Sequence, residues 1–443
     1  MSQSKTPETV ADPGNVEDLA RKIRAGALSP VDLVQRYLDR IEAVDGQVEA
    51  WREVDAKGAL AAARTLAQEV RAGKIRGPLH GIPVGVKDII DVAGLRTRCN
   101  SNSRADIAPA LADAEVIAAL RVAGAIVLGK THTTEFALRD VSPARNPHNL
   151  DHTPGGSSSG SGAAVAAGMV PVALGTQTAA SVNRPAAYCG IAAFKPSTRL
   201  IPGGGVEPLS YLFDTVGFYG SRVADAAAVF EAICPFHARR VAPAPETLNV
   251  AMLSDPLIDG SDDEIMRSLA AVGEKIADAG HSVTQRASPV SFAGLLETHM
   301  QTMIYEISRI RRAFLDQPEG AIGPMLLDAI REGLAISDDA YLKLRRTLDK
   351  WRDEFFANFA DIDAIVWPAT PKTAPKGLEW TGDAGFIAPW TTLGGPVVTM
   401  PAGKSSSGMP IGCLLAGLPG SDLAFAATAR RLADAAEDRD SVF

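Results

Sequence analysis

Two loops of small residues carry the hydroxyls of this chain that could attack a carbonyl. The run from Thr153 to Ser197 holds TPGGSSSGSG at its start and TQTAASVNRPAAYCG further on, separated by an uncharged apolar segment, Ala163 to Leu174. Small residues let backbone N–H groups come close to a ligand, and a serine beside such groups can be a nucleophile whose oxyanion they hold. That composition packs a core poorly and builds an oxyanion site well.

Two other patterns compete for the chemistry. Gly124-Ala-Ile-Val-Leu-Gly129-Lys130-Thr131 satisfies the P-loop expression, but its Ala-Ile-Val-Leu centre suits a buried strand, not a loop of N–H groups around phosphate. Gly156-Ser157-Ser158-Ser159-Gly160 fits the nucleophile elbow of α/β-hydrolases, with Ser158 as nucleophile. That elbow needs a strand before it and a later acid and histidine. Here a loop, Asn146 to Pro154, precedes it; only His237, His281 and His299 follow, none in a Gly- or Ser-rich setting.

A serine without a suitable histidine needs another base, and a desolvated, neutral lysine can serve. Lys87 ends the stretch GIPVGVKD. On position alone it reads as half of an ion pair with Asp88 or Asp91, and only the serine loops give the base reading its weight.

The elements that must position these groups are readable from periodicity. Residues 1–14 read as a disordered lead-in. Ser29-Pro30 opens a helix as N-cap and first residue, with Val31, Val34, Leu38 and Ile41 on one face. Residues 51–73 read as a further helix, Gly81–Val86 as a strand, Glu115–Ala123 as a helix and Ala125–Leu128 as a strand covered on both faces. This alternation runs through residue 230 and indicates the α/β class. Beyond it, Leu248–Leu253 reads as a strand, Asp262–Ala279 as a helix, 290–360 as almost wholly helical, Asp363–Pro368 as a strand and 421–436 as a closing helix. The simplest organisation is a single domain over 15–443, its core formed by about 15–235 and 360–443. A mostly helical insertion at about 240–360 is expected to cover the pocket and set specificity.

Composition bounds the partners. The chain has 443 residues, 46% hydrophobic and 22% charged, with a formal net charge of −8, which argues against nucleic acid as the main partner. Cys99, Cys189, Cys234 and Cys413 lack metal-ligand spacing and read as buried thiols in a reducing compartment. The N-terminus lacks the apolar region of a signal peptide, and no apolar run reaches membrane-spanning length. A cytoplasmic protein with no cofactor, no metal and no membrane partner is expected.

Taken together, the motifs resemble the amidase signature family. They are Gly155-Gly156-Ser157-Ser158, Thr176-Gln177-Thr178-Ala179-Ala180-Ser181, Arg184-Pro185-Ala186-Ala187-Tyr188-Cys189-Gly190 and Lys195-Pro196, with GIPVGVKD, GKTHTTEFA at 129–137 and Gly408-Met409-Pro410-Ile411-Gly412 outside them. The resemblance implies a central mixed, twisted β-sheet covered by helices on both faces. It also implies an amidohydrolase that cleaves a small linear amide to a carboxylate and ammonia or an amine through an acyl-enzyme. By position, Ser181 is the nucleophile, Ser157 the bridging serine whose preceding peptide bond is cis in the family, and Lys87 the base. Backbone N–H groups of Thr178, Ala179, Ala180 and Ser181 form the oxyanion hole.

Two departures from the family pattern stand out. Ala179-Ala180 replace the usual Gly-Gly: either they need a positive φ, which strains alanine, or both have negative φ and their methyls narrow the pocket. Gln177 stands where many members have Asp. The TQT…SVNRPAAYCG wording resembles the malonamidase-like branch, in which an arginine three residues past the nucleophile grips a substrate carboxylate. Arg184 is so placed, with Gln177 and Ser158 assigned beside it to substrate binding, although Arg184 reads equally well as a structural group bonded to loop carbonyls. A homodimer is expected. The alternatives are a glutaminase component of a tRNA-dependent amidotransferase and a catalytically silent ligand-binding homologue.

Overall fold

The computed structural model describes residues 8–234 and 245–438. Among the described residues eleven strands form one mixed sheet, accompanied by thirteen α-helices. In chain order the strands are β1 (Trp51–Val54), β2 (Pro83–Lys87), β3 (Ile126–Thr131), β4 (Val172–Gln177), β5 (Ala192–Lys195), β6 (Thr215–Gly220), β7 (Asn249–Ser254), β8 (Ser282–Ala287), β9 (Ala364–Pro368), β10 (Val397–Lys404) and β11 (Pro410–Ala416). Their order across the sheet is β1-β3-β2-β4-β6-β5-β10-β11-β9-β7-β8.

The block that matters for chemistry is β3-β2-β4, whose strands run parallel. Every residue of these strands is buried, as expected for parallel strands covered by helices on both faces. Val84 and Val86 are fully buried on one side of β2, each contributing about 1.5–3 kcal/mol. The alternation of the strand then sends Lys87 to the opposite side, with Gly85. A Cβ on Gly85 would meet Trp51, Thr131 and Ala173 at 3.2–3.4 Å, so the bare backbone there keeps the neighbouring strands close. The carboxyl ends of β2 and β4 deliver Lys87 and Gln177 to the same edge, where open α/β sheets place their ligands.

The expected elements differ from the observed ones in three places. Residues 51–73 do not form one helix: Trp51–Val54 is the edge strand β1, antiparallel to β3, and the helix starts at Ala56 after Asp55, whose carboxylate accepts the Gly58 N–H at 2.9 Å. The alanine-rich tail of the segment masked the aromatic and β-branched residues at its head. The lead-in is not disordered from residue 8 onward. Thr9 donates to the Pro147 carbonyl, Ala11 N–H to that of Ala166, and the Pro13 carbonyl accepts the Tyr37 hydroxyl. Residues 1–7 lie outside the described residues. The segment 240–360 is not simply an insertion, because β7 and β8 extend the main sheet through β9. Its wholly helical part is Phe292–Ile310, Pro324–Leu334 and Asp338–Ala357.

Candidate active site

Lys87 is completely buried and makes only neutral hydrogen bonds. Its Nζ lies 2.8 Å from Ser157 Oγ, 2.8 Å from Thr176 Oγ1 and 3.4 Å from the Thr176 carbonyl. Burial pushes its amine well below the ordinary lysine value of 10.5, opposed only in part by the Asp214 carboxylate. The expected alternative, an ion pair with Asp88 or Asp91, does not form. Asp88 instead pairs with Lys130 on the neighbouring strand at 3.0 Å, and Asp91 accepts the Thr97 hydroxyl. The P-loop pattern is thereby explained: Ile126–Thr131 is strand β3 and Lys130 a buried structural cation.

Ser157 follows a cis peptide bond, Gly156–Ser157, and its carbonyl accepts the Thr134 N–H at 3.0 Å. The preceding Gly155 has φ +84°, where a Cβ would approach the Pro185 backbone at 3.0 Å. Small residues continue into the buried helix Ser159–Ala166, where a Cβ on Gly162 would again meet Pro185 at 3.0 Å. Part of the run therefore serves close helix packing.

Ser181 opens onto a cavity of about 470 Å³ whose wall includes Thr178, Ala179 and Ala180. Its side chain makes no hydrogen bond with the described residues. The N–H groups of Ala179, Ala180 and Ser181 donate to no protein acceptor among them either, so the loop presents unused donors beside the serine. Neither alanine has a positive φ. Of the two readings of Ala179-Ala180, the unstrained one holds. Supports clamp the loop from behind: Thr391 donates to the Ala179 carbonyl at 2.6 Å, Tyr219 to that of Ser181 at 3.2 Å, and Thr178 to Asp214 at 2.6 Å.

Three expected substrate-binding residues have other work. Gln177 is fully buried, and its Oε1 accepts the N–H groups of Val182 and Asn183 at 2.8 and 2.9 Å. Its Nε2 donates to Asn183 Oδ1 and Thr391 Oγ1, so it folds the nucleophile loop and does not reach the cavity. Ser158 is also buried, exchanging hydrogen bonds with the backbone of Thr176. That removes it both from substrate contact and from the role of elbow nucleophile. His299 is buried against Phe213 with its Nδ1 on Thr392, His281 meets the Leu248 N–H, and His237 lies outside the described residues.

Arg184 borders the cavity, but its guanidinium is spent on neutral acceptors: the Gly156 carbonyl from Nε (3.2 Å) and Nη2 (2.7 Å), Thr381 Oγ1 at 3.0 Å and the Gly382 carbonyl. A bidentate carboxylate clamp needs two free, parallel N–H groups, and Nη1 retains only one. Of the two readings of Arg184, the structural one holds.

Sequence reasoning missed Thr176, Asp214, Tyr219 and Thr391 as supports. Thr176 lay inside a quoted motif; the others sit far along the chain with no local signal. All four cysteines are buried and none forms a disulfide. Among the described residues no group of three or more His, Cys, Asp and Glu is placed to hold a metal, and no helix is long and apolar enough to cross a membrane.

A family model described as Amidase matches residues 32–425, and the chain belongs to that family. It is 32% identical to a glutamyl-tRNA(Gln) amidotransferase subunit of Roseiflexus castenholzii, covering 90% of this chain and 91% of that one. The corresponding protein of Geobacter metallireducens is 30% identical over 91% and 93%. Among solved structures, an amidase superimposes with a TM-score of 0.85 at 29% identity, covering 96% and 100% of the two chains. The native peptide amidase from Stenotrophomonas maltophilia gives 0.78 at 28% over 95% and 96%.

Proposed function

We propose that this member of the amidase family hydrolyses the C–N bond of a small linear amide through an acyl-enzyme on Ser181. The observation that carries the reading is the setting of Lys87: a buried amine held by Ser157 and Thr176, without a carboxylate partner, next to a loop of unused N–H donors. A desolvated amine bonded to hydroxyls favours its neutral form, which is what a general base requires.

In this mechanism Ser181 Oγ attacks the carbonyl while its proton passes to Ser157 and from Ser157 to Lys87. The developing oxyanion is held by N–H groups of the Thr178–Ser181 loop, each such donor contributing on the order of 3 kcal/mol to the barrier. The C–N bond then breaks, and the nitrogen takes back the proton through Ser157. Water repeats the sequence on the acyl-enzyme and releases the carboxylate. Arg184 contributes by fixing the Gly156 carbonyl and the 381–382 loop, and no acidic group on the substrate is required for that. A cytoplasmic homodimer is part of this proposal, and the mass of the purified chain in solution tests the assembly.

A second reading, the glutaminase component of a tRNA-dependent amidotransferase, is favoured by the curated relatives. The purified chain separates the two. Turnover of free amides by the chain alone, with fluorophosphonate labelling that Ser181→Ala abolishes, is the expected result. Labelling retained in Ser181→Ala would overturn the mechanism; glutamine hydrolysis only with added partner proteins would favour the second reading.

A further inference from the structure

The nucleophile cavity is not alone at the oxyanion loop. A second cavity of about 380 Å³ shares three wall residues with it: Ala137, Thr178 and Leu209. Its side walls are apolar, formed by Ile89, Ile201, Val206 and Val216, and exposed Tyr211 stands at its mouth. Part of its wall is polar: Thr176, and Asp214, which accepts the Thr178 hydroxyl. The two cavities therefore adjoin at Thr178.

Their positions relative to the proton relay differ. Ala179, Ala180 and Ser181 line only the first cavity, so the carbonyl carbon and its acyl group belong there. The second is bounded by Thr176, whose hydroxyl accepts the Lys87 N–H, and so lies beside the relay that must protonate the departing nitrogen. Size adds a second argument. Ammonia is about as large as water, whose share of liquid volume is about 30 Å³, so it would fill less than about a tenth of this space. A volume in the range of ordinary ligand pockets, walled by aliphatic side chains, suits a carbon-bearing group.

The two carboxylates in the second cavity sharpen the picture. Glu207 is held by Arg104 and Arg311 at 2.7 and 2.5 Å. Asp214 has no ion pair among the described residues. Its Oδ2 accepts the N–H groups of Leu209 and Ser210, while Oδ1 accepts only the Thr178 hydroxyl and keeps a lone pair for a further donor. A nitrogen leaving toward this cavity meets an oxygen able to accept its N–H.

We propose that the second cavity is the leaving-group site and that the substrate is a secondary amide whose amine part is apolar, alkyl or aryl. This rests on the amidohydrolase reading above and specifies what that reading leaves open. The C–N bond breaks as the nitrogen takes the proton that Ser181 surrendered, returned through Ser157. A neutral primary amine is left in the second cavity, its N–H within reach of Asp214. Water then enters to release the acid and restore the Ser181 hydroxyl.

The experiment holds the acyl group constant and varies the amine, comparing butyramide, N-butylbutyramide and N-benzylbutyramide. Wild type, Ser181→Ala and Val206→Phe are assayed, the last to fill the second cavity away from the nucleophile. The wild type should prefer the N-substituted amides by about tenfold or more in kcat/KM, the scale on which an apolar pocket discriminates. Val206→Phe should lose about that factor on the N-substituted amides while keeping its butyramide turnover, which also reports that it folds. Added benzylamine should capture the acyl-enzyme as N-benzylbutyramide in the wild type and much less in Val206→Phe. Ser181-dependent turnover of butyramide alone, with no N-substituted turnover and no capture, would overturn this inference and leave the amidohydrolase reading standing. Equal losses on all three amides in Val206→Phe would also overturn it. No turnover of any amide and no Ser181 labelling would overturn both.

Discussion

Neighbouring parallel strands β2 and β3 each carry one completely buried lysine to nearly the same level of the sheet, Lys130 pairing in register with Val86 and Lys87 with Thr131. Their surroundings differ in kind. Lys130 sits 3.0 Å from the Asp88 carboxylate, with Thr97 Oγ1 and the Arg96 carbonyl as further acceptors. Lys87 has two hydroxyls and a carbonyl. Burial without a carboxylate partner disfavours the charged form of a lysine, which is the situation of Lys87. Asp88 directly follows Lys87 in sequence yet serves Lys130: it lies in the turn just past the end of β2, where its N–H is bonded to the Thr131 carbonyl beside Lys130. One chain thus holds a structural cation and a candidate base a strand apart, separated by the placement of one carboxylate.

Breaking each member of this pair should give different phenotypes. Lys87→Met should lower kcat/KM by about 10²–10⁴-fold, the usual contribution of a general acid–base group, without lowering the thermal midpoint, because a costly buried amine is removed. A melting curve beside the kinetics checks both halves. Asp88→Asn should cost about 3–5 kcal/mol of unfolding free energy in a denaturant titration, by leaving the Lys130 charge uncompensated, and the pair Asp88→Leu with Lys130→Met should recover most of it.

Thr176→Asp would give Lys87 the partner that Lys130 has. In the proposed mechanism the protonated form of Lys87 is the inactive one, so kcat/KM should fall on acidification through its depressed pKa and level off above it. The introduced carboxylate should move that acid limb upward in a pH–rate profile. The unfolded chain binds a proton at this lysine up to its ordinary value of 10.5 while the native chain does not, so stability should rise with pH between the depressed value and 10.5. The smallest effect belongs to Ser158→Ala. Losing its hydrogen bonds to Thr176 should cost about 1 kcal/mol in denaturant, and fluorophosphonate labelling should persist, as it would not if Ser158 were an elbow nucleophile.

Much of the site could be read from the chain because its chemistry demands residue types that composition exposes. The loops around Ser157 and Ser181 and the lysine ending GIPVGVKD needed no coordinates to be noticed, and the helix boundaries at Ser29-Pro30 and Asp262 follow from local capping and periodicity. The β1 strand escaped because its Trp51–Val54 stretch is four residues long and abuts a strong helix former. Asp214 and Thr391 escaped because their contacts with the 178–179 loop span 36 and 212 residues, and no local pattern encodes such a meeting. Gln177 is expected at the substrate but is buried away from the cavity, and Arg184 carries two equal readings, because spacing does not say which acceptors a side chain meets.

By itself, then, the sequence determined the α/β class and singled out two serine loops and a lysine as candidates with no histidine in a fitting setting, since each depends on residue identity and short-range periodicity. Only the tertiary structure decided which buried lysine would keep a carboxylate, that Arg184 would be spent on loop carbonyls, and that two cavities would meet at Thr178. Charge state, donor availability and empty space are properties of neighbours brought together by packing, and the neighbours here come from strands and loops far apart along the chain.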